Sequence, residues 1–119
     1  MDFTISLPEW AVVENEKLPE FVETLDERMR VVNEFARRNV EENTGGPFAA
    51  GVFERDTGRV VIVGVNRVEP MQCSSAHAEV VTLSLAQKKL GTWNLGEPGK
   101  PALQLVVNWL PCAMCLGAV

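Results

Sequence analysis

The chain has 119 residues, of which 46% are hydrophobic and 23% charged, and its formal net charge is −5 at pH 7. These values are typical of one globular domain with a single core, and they exclude a disordered or membrane-embedded chain. No apolar run approaches the roughly 20 residues of a transmembrane helix. The N-terminus is acidic and lacks the basic and apolar segments of a signal peptide, so we expect a cytoplasmic location.

Charge and cysteine content also limit the partners that we expect. The 11 basic side chains are scattered and are outnumbered by 16 acidic ones. A protein that binds a phosphate backbone usually presents clustered Lys and Arg. Unless the fold gathers a local basic patch, we therefore expect a small neutral ligand and no nucleic acid. The three cysteines are not expected to form disulfides, because the cytosol keeps thiols reduced.

Residues 1–22 form an acidic N-terminal extension with two similar pieces, residues 7–10 and 18–21, each Leu-Pro-Glu followed by an aromatic residue. Proline at a first helical position followed by glutamate favours a short helical turn. We predict two surface turns whose Trp10 and Phe21 pack onto the domain. The alternative is a poorly ordered extension.

The next segments predict one helix and one hairpin. Apolar side chains recur at three- and four-residue steps within residues 23–43, between Glu and Arg, which indicates an amphipathic helix with one inward stripe. The residues of this stripe are Leu25, Met29, Val32, Ala36 and Val40. The Gly-Gly-Pro at residues 45–47 ends that helix. Two runs rich in β-branched or small residues follow, 48–54 and 59–68, and the Asp-Thr-Gly between them predicts a hairpin. Residues that follow the second run are predicted to form a loop.

A second long helix is predicted over residues 76–90. Ser74 or Ser75 is a plausible N-terminal cap, and Gly91 stands where a helix commonly ends.

The rest of the chain predicts a loop, a strand and a helix start. Residues 91–101 are rich in Gly and Pro and are predicted to be a loop. Residues 102–109 are predicted to form a buried strand. Pro111 then opens a third helix, at a position where its missing N–H costs nothing.

Two short motifs indicate a metal site. The only histidine, His77, is followed two residues later by Glu79, in the first turn of the second helix. Cys112 and Cys115 follow Pro111 and lie on one side of the third helix. Zn²⁺ takes nitrogen and thiolate ligands in a tetrahedron, and a catalytic site leaves the fourth position open for water. We predict a zinc ion held by His77, Cys112 and Cys115, with Glu79 as the carboxylate that moves protons.

Each motif has an alternative interpretation. A lone C-x-x-C also occurs in redox pairs and in structural zinc sites, and Glu79 could be only a helix N-terminal charge. Phe48 could be plain core and Asn66 a turn residue. Cys73 is predicted to be an unliganded small apolar residue, because a fourth thiolate would close the site.

The H-x-E and P-C-x-x-C motifs together resemble the zinc-dependent cytidine/deoxycytidylate deaminase superfamily. Gly45 to Ala50, Asn66 and the His-Ala-Glu form of the first motif resemble its purine branch, bacterial guanine deaminase and tRNA adenosine deaminase. The resemblance implies an α/β fold, a three-layer α-β-α sandwich with a mixed sheet. It also implies further strands and helices, so we expect residues 23–119 to be a C-terminally incomplete catalytic core, truncated after the third strand and the start of the third helix.

The same resemblance implies a zinc-dependent hydrolytic deaminase of a purine, with guanine converted to xanthine and ammonia as the expected reaction and a homodimer when full length. Asn66 matches the family asparagine that hydrogen-bonds the purine, and Phe48 matches an aromatic residue that lines or stacks on the base. Two alternatives stay open, a tRNA-specific adenosine deaminase and a catalytically silent, zinc-stabilised fragment. Trp109 and Leu110 depart from the family pattern, which commonly has an acidic residue before the proline, and this departure concerns pocket geometry.

Overall fold

The computed structural model describes residues 1–119 as helices packed on a three-stranded sheet. The elements are helix α1 (Glu9–Lys17), helix α2 (Leu25–Glu41), strand β1 (Ala49–Glu54), strand β2 (Val60–Val65), short helix α3 (Val68–Met71), helix α4 (Ala78–Leu90), strand β3 (Leu103–Val107) and helix α5 (Ala113–Ala118).

The strand order is β2-β1-β3, and both neighbouring pairs are antiparallel. The α/β class is confirmed, but the sheet of this chain is antiparallel and not mixed. Strands β2 and β3 run in the same direction, because each is antiparallel to β1, and the chain crosses from one to the other through α4. They do not pair, because β1 lies between them and runs in the opposite direction.

Helices cover both faces of the sheet, which makes three layers. On one face, α1 and α2 pack against the strands, with Val32 and Phe35 next to Phe53 and Val63. On the other face, Ala86 of α4 packs with further strand residues in a smaller cluster. Burying one such large apolar side chain stabilises the fold by about 1.5–3 kcal/mol. The expected α-β-α sandwich is therefore confirmed.

Helix α2 is amphipathic as predicted, but its inward stripe is shifted from the predicted one. Its buried residues are Arg28, Val32, Phe35, Ala36 and Asn39. Two residues that were predicted to face inward are instead about half exposed, Leu25 at 54% and Val40 at 51%. The stripe contains two polar side chains, so counting apolar residues alone misplaced its ends.

Helix α4 lies very close to the sheet where Gly64 passes Thr82. A Cβ atom at Gly64 would be 2.3 Å from Oγ1 of Thr82, so only glycine allows this approach. The Thr82 hydroxyl donates a 3.3 Å hydrogen bond to the carbonyl oxygen of Ala50. This contact fixes the first half of α4 against the centre of the sheet.

The N-terminal segment covers the outer edge of β2. Asn15 at the end of α1 donates to the carbonyl oxygen of Val63 and accepts from its N–H, at 2.8 and 2.9 Å. Residues 18–21, predicted to be a second helical turn, are not helical, and Phe21 forms a β-bridge with Arg59. An uncovered strand edge leaves N–H and C=O groups unpaired, and pairing them favours this extended conformation over a turn.

Helix starts also differ from the predicted ones. Neither Ser74 nor Ser75 caps α4, whose N-cap is His77 without a side-chain capping bond. Helix α5 begins after Cys112, and therefore two residues later than Pro111. Residue 68 was predicted to end a strand and residues 69–71 to lie in a loop, but residues 68–71 form the short helix α3. No helix is both long enough and apolar enough to span a membrane.

Candidate metal centre and active site

The starts of α4 and α5 meet at the sheet edge where β2 and β3 end. His77 is the N-cap residue of α4, and Cys112 is the N-cap residue of α5. Cys115 is one turn further along α5 and is completely buried. The His77, Cys112 and Cys115 side chains offer one ligand atom each, and these atoms all lie within 4.8 Å of one another.

The distances between the three ligand atoms match those of a zinc centre. The two Sγ atoms are 3.6 Å apart, and Nδ1 of His77 is 3.6 Å from each of them. Zn–S bonds of about 2.3 Å and Zn–N bonds of about 2.0–2.1 Å at tetrahedral angles place sulfurs about 3.8 Å apart and nitrogen about 3.6 Å from sulfur. The three residues therefore fit one zinc ion without moving.

The surroundings of the two thiols shift their pKa values in opposite directions. Burial raises the pKa of the Cys115 thiol to about 12, with Cys112 and Glu79 adding to the effect. Hydrogen bonding from the backbone N–H of Cys115 instead lowers the pKa of Cys112. The raised pKa keeps Cys115 a neutral thiol in the absence of a cation, and a zinc ion bound by the three residues would stabilise its thiolate form.

Glu79 lies beside this centre in the second position of α4. It is a buried charged residue, with 9% of its surface exposed. Its carboxylate is close enough to Cys115 to raise the pKa of that thiol. Glu79 also lines the same cavity as His77 and Cys112, so it faces the space that a ligand would occupy.

The cavity next to the ligands has a volume of about 230 Å³. Its walls come from the start of β1, the ends of β2 and β3, and the first turn of α4. The lining residues are Phe48, Ala49, Asn66, His77, Ala78, Glu79, Val107, Asn108, Trp109, Leu110 and Cys112. Drug-sized ligands occupy sites of about 300–1,000 Å³, so this cavity suits a smaller ring system.

Phe48 and Asn66, predicted to contact a substrate, both line this cavity. The Oδ1 atom of Asn66 accepts a 3.3 Å hydrogen bond from the N–H of Val68. The backbone N–H of Asn66 donates to the carbonyl oxygen of Phe48 at 2.9 Å, which joins the two residues. Cys73 is outside the group of ligand atoms and contacts the hydroxyl of Ser75 at 3.2 Å.

Trp109 and Leu110, which depart from the family pattern, form part of the cavity wall. Both are mostly exposed, at 69% and 86%. The ring of Trp109 meets the ring of Phe48 edge to face, with centroids 6.2 Å apart. Trp109 therefore adds a second aromatic ring to the cavity and leaves the three ligand atoms in contact.

Two asparagines that sequence reasoning missed support the cavity wall. Asn108 accepts from the N–H of Ala49 at 2.9 Å and donates to the carbonyl oxygen of Pro47 at 3.0 Å, so it joins the end of β3 to the segment before β1. Asn39 of α2 donates to the carbonyl oxygen of Asn66 at 2.9 Å. Their partners are 27 to 61 residues away in the chain, so no local pattern signals them.

Comparison with known sequences assigns most of the chain to one family. The family model for the cytidine and deoxycytidylate deaminase zinc-binding region matches residues 22–119. A guanine deaminase of Bacillus subtilis is 37% identical over 84 residues, which are 71% of this chain and 49% of that protein. A tRNA-specific adenosine deaminase of Bacillus subtilis is 40% identical over only 62 residues, which are 52% of this chain and 35% of that protein.

Solved structures give a similar result. A guanine deaminase from Nitrosomonas europaea superposes with a TM-score of 0.91 at 46% identity, over 98% of this chain and 63% of that one. A structure in complex with 2,6-diaminopurine superposes with a TM-score of 0.90 at 48% identity, over 97% of this chain and 60% of that one. The chain thus spans about half the length of the curated guanine deaminase and less than two thirds of the solved one.

Proposed function

This chain belongs to the cytidine and deoxycytidylate deaminase zinc-binding family, and from that premise we propose that it acts in the hydrolytic deamination of guanine to xanthine and ammonia. One observation carries the proposal. A nitrogen and two sulfur atoms lie 3.6 Å apart beside the buried Glu79, on a cavity of base-sized volume. A zinc centre next to a proton-transferring carboxylate is what this chemistry requires.

His77, Cys112 and Cys115 hold the zinc ion in this proposal, and Glu79 moves the protons. When bound, zinc supplies an acidified water as nucleophile for the ring carbon that bears the amino group. Glu79 accepts the proton of that nucleophile and delivers it to the adjacent ring nitrogen. It then accepts the remaining proton of the hydroxyl group added to that ring carbon and passes it to the amino group, so that the C–N bond breaks, the carbon becomes a carbonyl and ammonia leaves. The position of Glu79 on the cavity wall supports this role.

Phe48 and Asn66 bind the base in this proposal. The Asn66 Oδ1 atom accepts from the Val68 N–H, which leaves the amide NH₂ to donate to a ring acceptor of the purine. Phe48 and Trp109 supply aromatic surface on the same wall. A site that hydrogen-bonds its substrate discriminates strongly against analogues that lack the partner group.

Three features favour a free purine over tRNA. The sequence match to a guanine deaminase covers 71% of this chain, whereas the sequence match to a tRNA-specific adenosine deaminase covers 52%. The cavity of about 230 Å³ suits a single base. A net charge of −5 disfavours binding to a polyanion.

We extend the proposal to organisation and location. Residues 23–119 form the catalytic core, and the protein works as a homodimer in the cytoplasm. Exposed apolar side chains on and before α5, among them Leu110 and Leu116, support an interface there. Two thiolate ligands support a reducing compartment. Sedimentation velocity of the zinc-loaded chain distinguishes a dimer from a monomer.

The test follows ammonia release from zinc-loaded protein given guanine, cytidine or a tRNA anticodon stem-loop that contains adenosine. Release from guanine is expected, and the Glu79→Gln variant with equal zinc content is the control. Release from the RNA alone would replace guanine with the tRNA substrate. Silence on all three, from folded protein with one zinc per chain, would identify a zinc-stabilised domain without activity.

A further inference from the structure

Asn39 is a completely buried polar residue that does not line the cavity. Its side-chain amide donates to two backbone carbonyl oxygens, those of Gly46 and Asn66, both at 2.9 Å. A buried amide that lost these acceptors would be left unpaired at a considerable cost. The two carbonyls belong to the two segments that carry the proposed base-binding residues, Phe48 and Asn66. Asn39 therefore sets the spacing between these segments from behind.

The two segments touch directly next to Asn39, at Gly45. A Cβ atom on Gly45 would lie 2.2 Å from the carbonyl oxygen of Asn66 and 2.5 Å from Nδ2 of Asn39. The φ angle of Gly45 is +155°, which L side chains rarely adopt. Because no gap remains, a shift of one segment displaces the other.

The hydrogen bonds continue from Asn39 into the N-terminal helix. Oδ1 of Asn39 accepts from the Thr44 hydroxyl at 2.8 Å, and that hydroxyl accepts from the indole N–H of Trp10 at 2.8 Å. The Trp10 ring is fixed by the ring of Phe35, with centroids 5.6 Å apart, and by the guanidinium of Arg38, 4.7 Å above it. The side-chain positions of Thr44 and Asn39 thus depend on Trp10 of α1. Trp10 lies before residue 22, where the family match begins.

We propose that Trp10, Thr44 and Asn39 form a positioning relay that fixes the distance between Phe48 and Asn66 and thereby determines how tightly a purine binds. The inference rests on the proposed function. None of the three relay residues lines the cavity, so they act through the two segments that they hold. The zinc ligands and Glu79 lie at the starts of α4 and α5, and neither helix makes a hydrogen bond with the relay. The relay therefore affects substrate binding and not zinc content.

The test removes one hydrogen bond at a time. Thr44→Val removes the hydroxyl, and Thr44→Ser keeps it as the rescue variant. Trp10→Phe removes the indole N–H and keeps an aromatic ring. Trp93→Phe is the matched control, because Trp93 is exposed and does not line the cavity. Binding of 2,6-diaminopurine is measured by calorimetry on zinc-loaded protein that also carries Glu79→Gln, so that no turnover interferes.

We expect Thr44→Val and Trp10→Phe to weaken this binding about three- to tenfold, the range of one lost hydrogen bond. Thr44→Ser and Trp93→Phe should bind as the parent does. In protein with intact Glu79, the KM for guanine should rise by a similar factor while kcat changes less than about twofold. Parent-like binding and parent-like KM in both relay variants would overturn the inference.

A measurement without ligand separates failure of the relay from failure of the proposed function. The amide of Phe48 donates to the carbonyl oxygen of Gly46, and the amide of Val68 donates to Oδ1 of Asn66, so each reports on one of the two segments. Thr44→Val should speed hydrogen–deuterium exchange at both amides and leave the exchange rates of α4 unchanged. Faster exchange together with no guanine turnover in the parent would reject guanine as substrate and uphold the relay. Unchanged exchange at both amides would reject the relay, whatever the substrate.

Discussion

Nδ1 of His77 lies 3.6 Å from Sγ of Cys115, although 38 residues separate them in the chain. The contact joins the start of α4 to α5, a helix of six residues. Helices of this length are not stable on their own. A metal ion shared by the two helices therefore also holds α5 in place.

Removal of zinc should destabilise the protein, because the ion binds the folded site and not the separated ligands. At free zinc 100 to 1,000 times the dissociation constant, the expected loss on chelation is about 3–4 kcal/mol in the free energy of unfolding. Thermal unfolding with and without a chelator measures the loss. Equal midpoints for protein with one zinc per chain and for metal-free protein would contradict this expectation.

Single substitutions should identify the ligands. Cys112→Ser and Cys115→Ser should each reduce bound zinc measured by atomic emission at matched protein concentration, because each removes one of three ligands. Cys73→Ser is the matched control, since Cys73 is outside the ligand group. Full zinc content in Cys115→Ser, or its loss in Cys73→Ser, would require a different ligand set.

Glu79→Gln should reduce guanine deamination by about 10² to 10⁴, because the amide cannot accept and return a proton. Zinc content should stay at the parent level, because Glu79 is not among the three ligand residues. Glu69→Gln, an exposed glutamate on α3, is the control and should retain full activity. A Glu79→Gln enzyme with more than about a tenth of parental turnover would exclude Glu79 as the proton carrier.

Cys73 should be the most reactive thiol of the zinc-loaded protein. The hydroxyl of Ser75, with the backbone N–H groups of Ser75 and Ala76, lowers the pKa of Cys73 below its ordinary value of 9.0. A lower pKa means a larger thiolate fraction at neutral pH, and the thiolate is the form that is alkylated. Iodoacetamide rates, followed by mass spectrometry across a pH series, should give a midpoint below that of an ordinary cysteine.

Ser75→Ala should shift this midpoint upward and slow alkylation at neutral pH, because the largest stabilising contact of the thiolate is removed. Cys112 and Cys115 should react slowly while zinc is bound and faster after chelation. Unchanged rates at Cys73 in the Ser75→Ala protein would show that the hydroxyl does not act on the thiol.

Arg28→Lys should lower stability without changing turnover per folded molecule. Arg28 is a buried cation whose guanidinium donates to the carbonyl oxygens of Val22, Glu23 and Arg55 and to the side chain of Gln104. Lysine has three donors in a different geometry and cannot serve all four acceptors. The expected loss is about 2–4 kcal/mol in urea unfolding. Arg30→Lys, at an exposed position of the same helix, should cost almost nothing.

The two motifs of the metal site could be predicted from local spacing. His77 and Glu79 are two residues apart, and Cys112 and Cys115 are three apart, so each pair consists of a helix N-cap and a residue of the first turn. Helical geometry then fixes the relative positions within each pair. The two long helices and three strands were predicted for the same reason, since periodicity and turn residues act over a few positions.

The supporting contacts could not be predicted in this way. Residues 18–21 look like residues 7–10, yet only the first piece begins a helix, because the second pairs with the edge of β2. The hydrogen bonds of the Asn39 and Trp10 side chains join residues 7 to 34 positions apart. The hydrogen bond between Ala49 and the Asn108 side chain joins residues 59 positions apart.

By itself, the sequence determined the two short motifs and the helices that present them, because each motif depends on neighbours within a turn. Only the tertiary structure decided that the nitrogen and two sulfurs lie 3.6 Å apart and that Trp10 of the N-terminal helix donates a hydrogen bond to Thr44. These distances arise from packing between distant segments, which residue spacing along the chain does not specify.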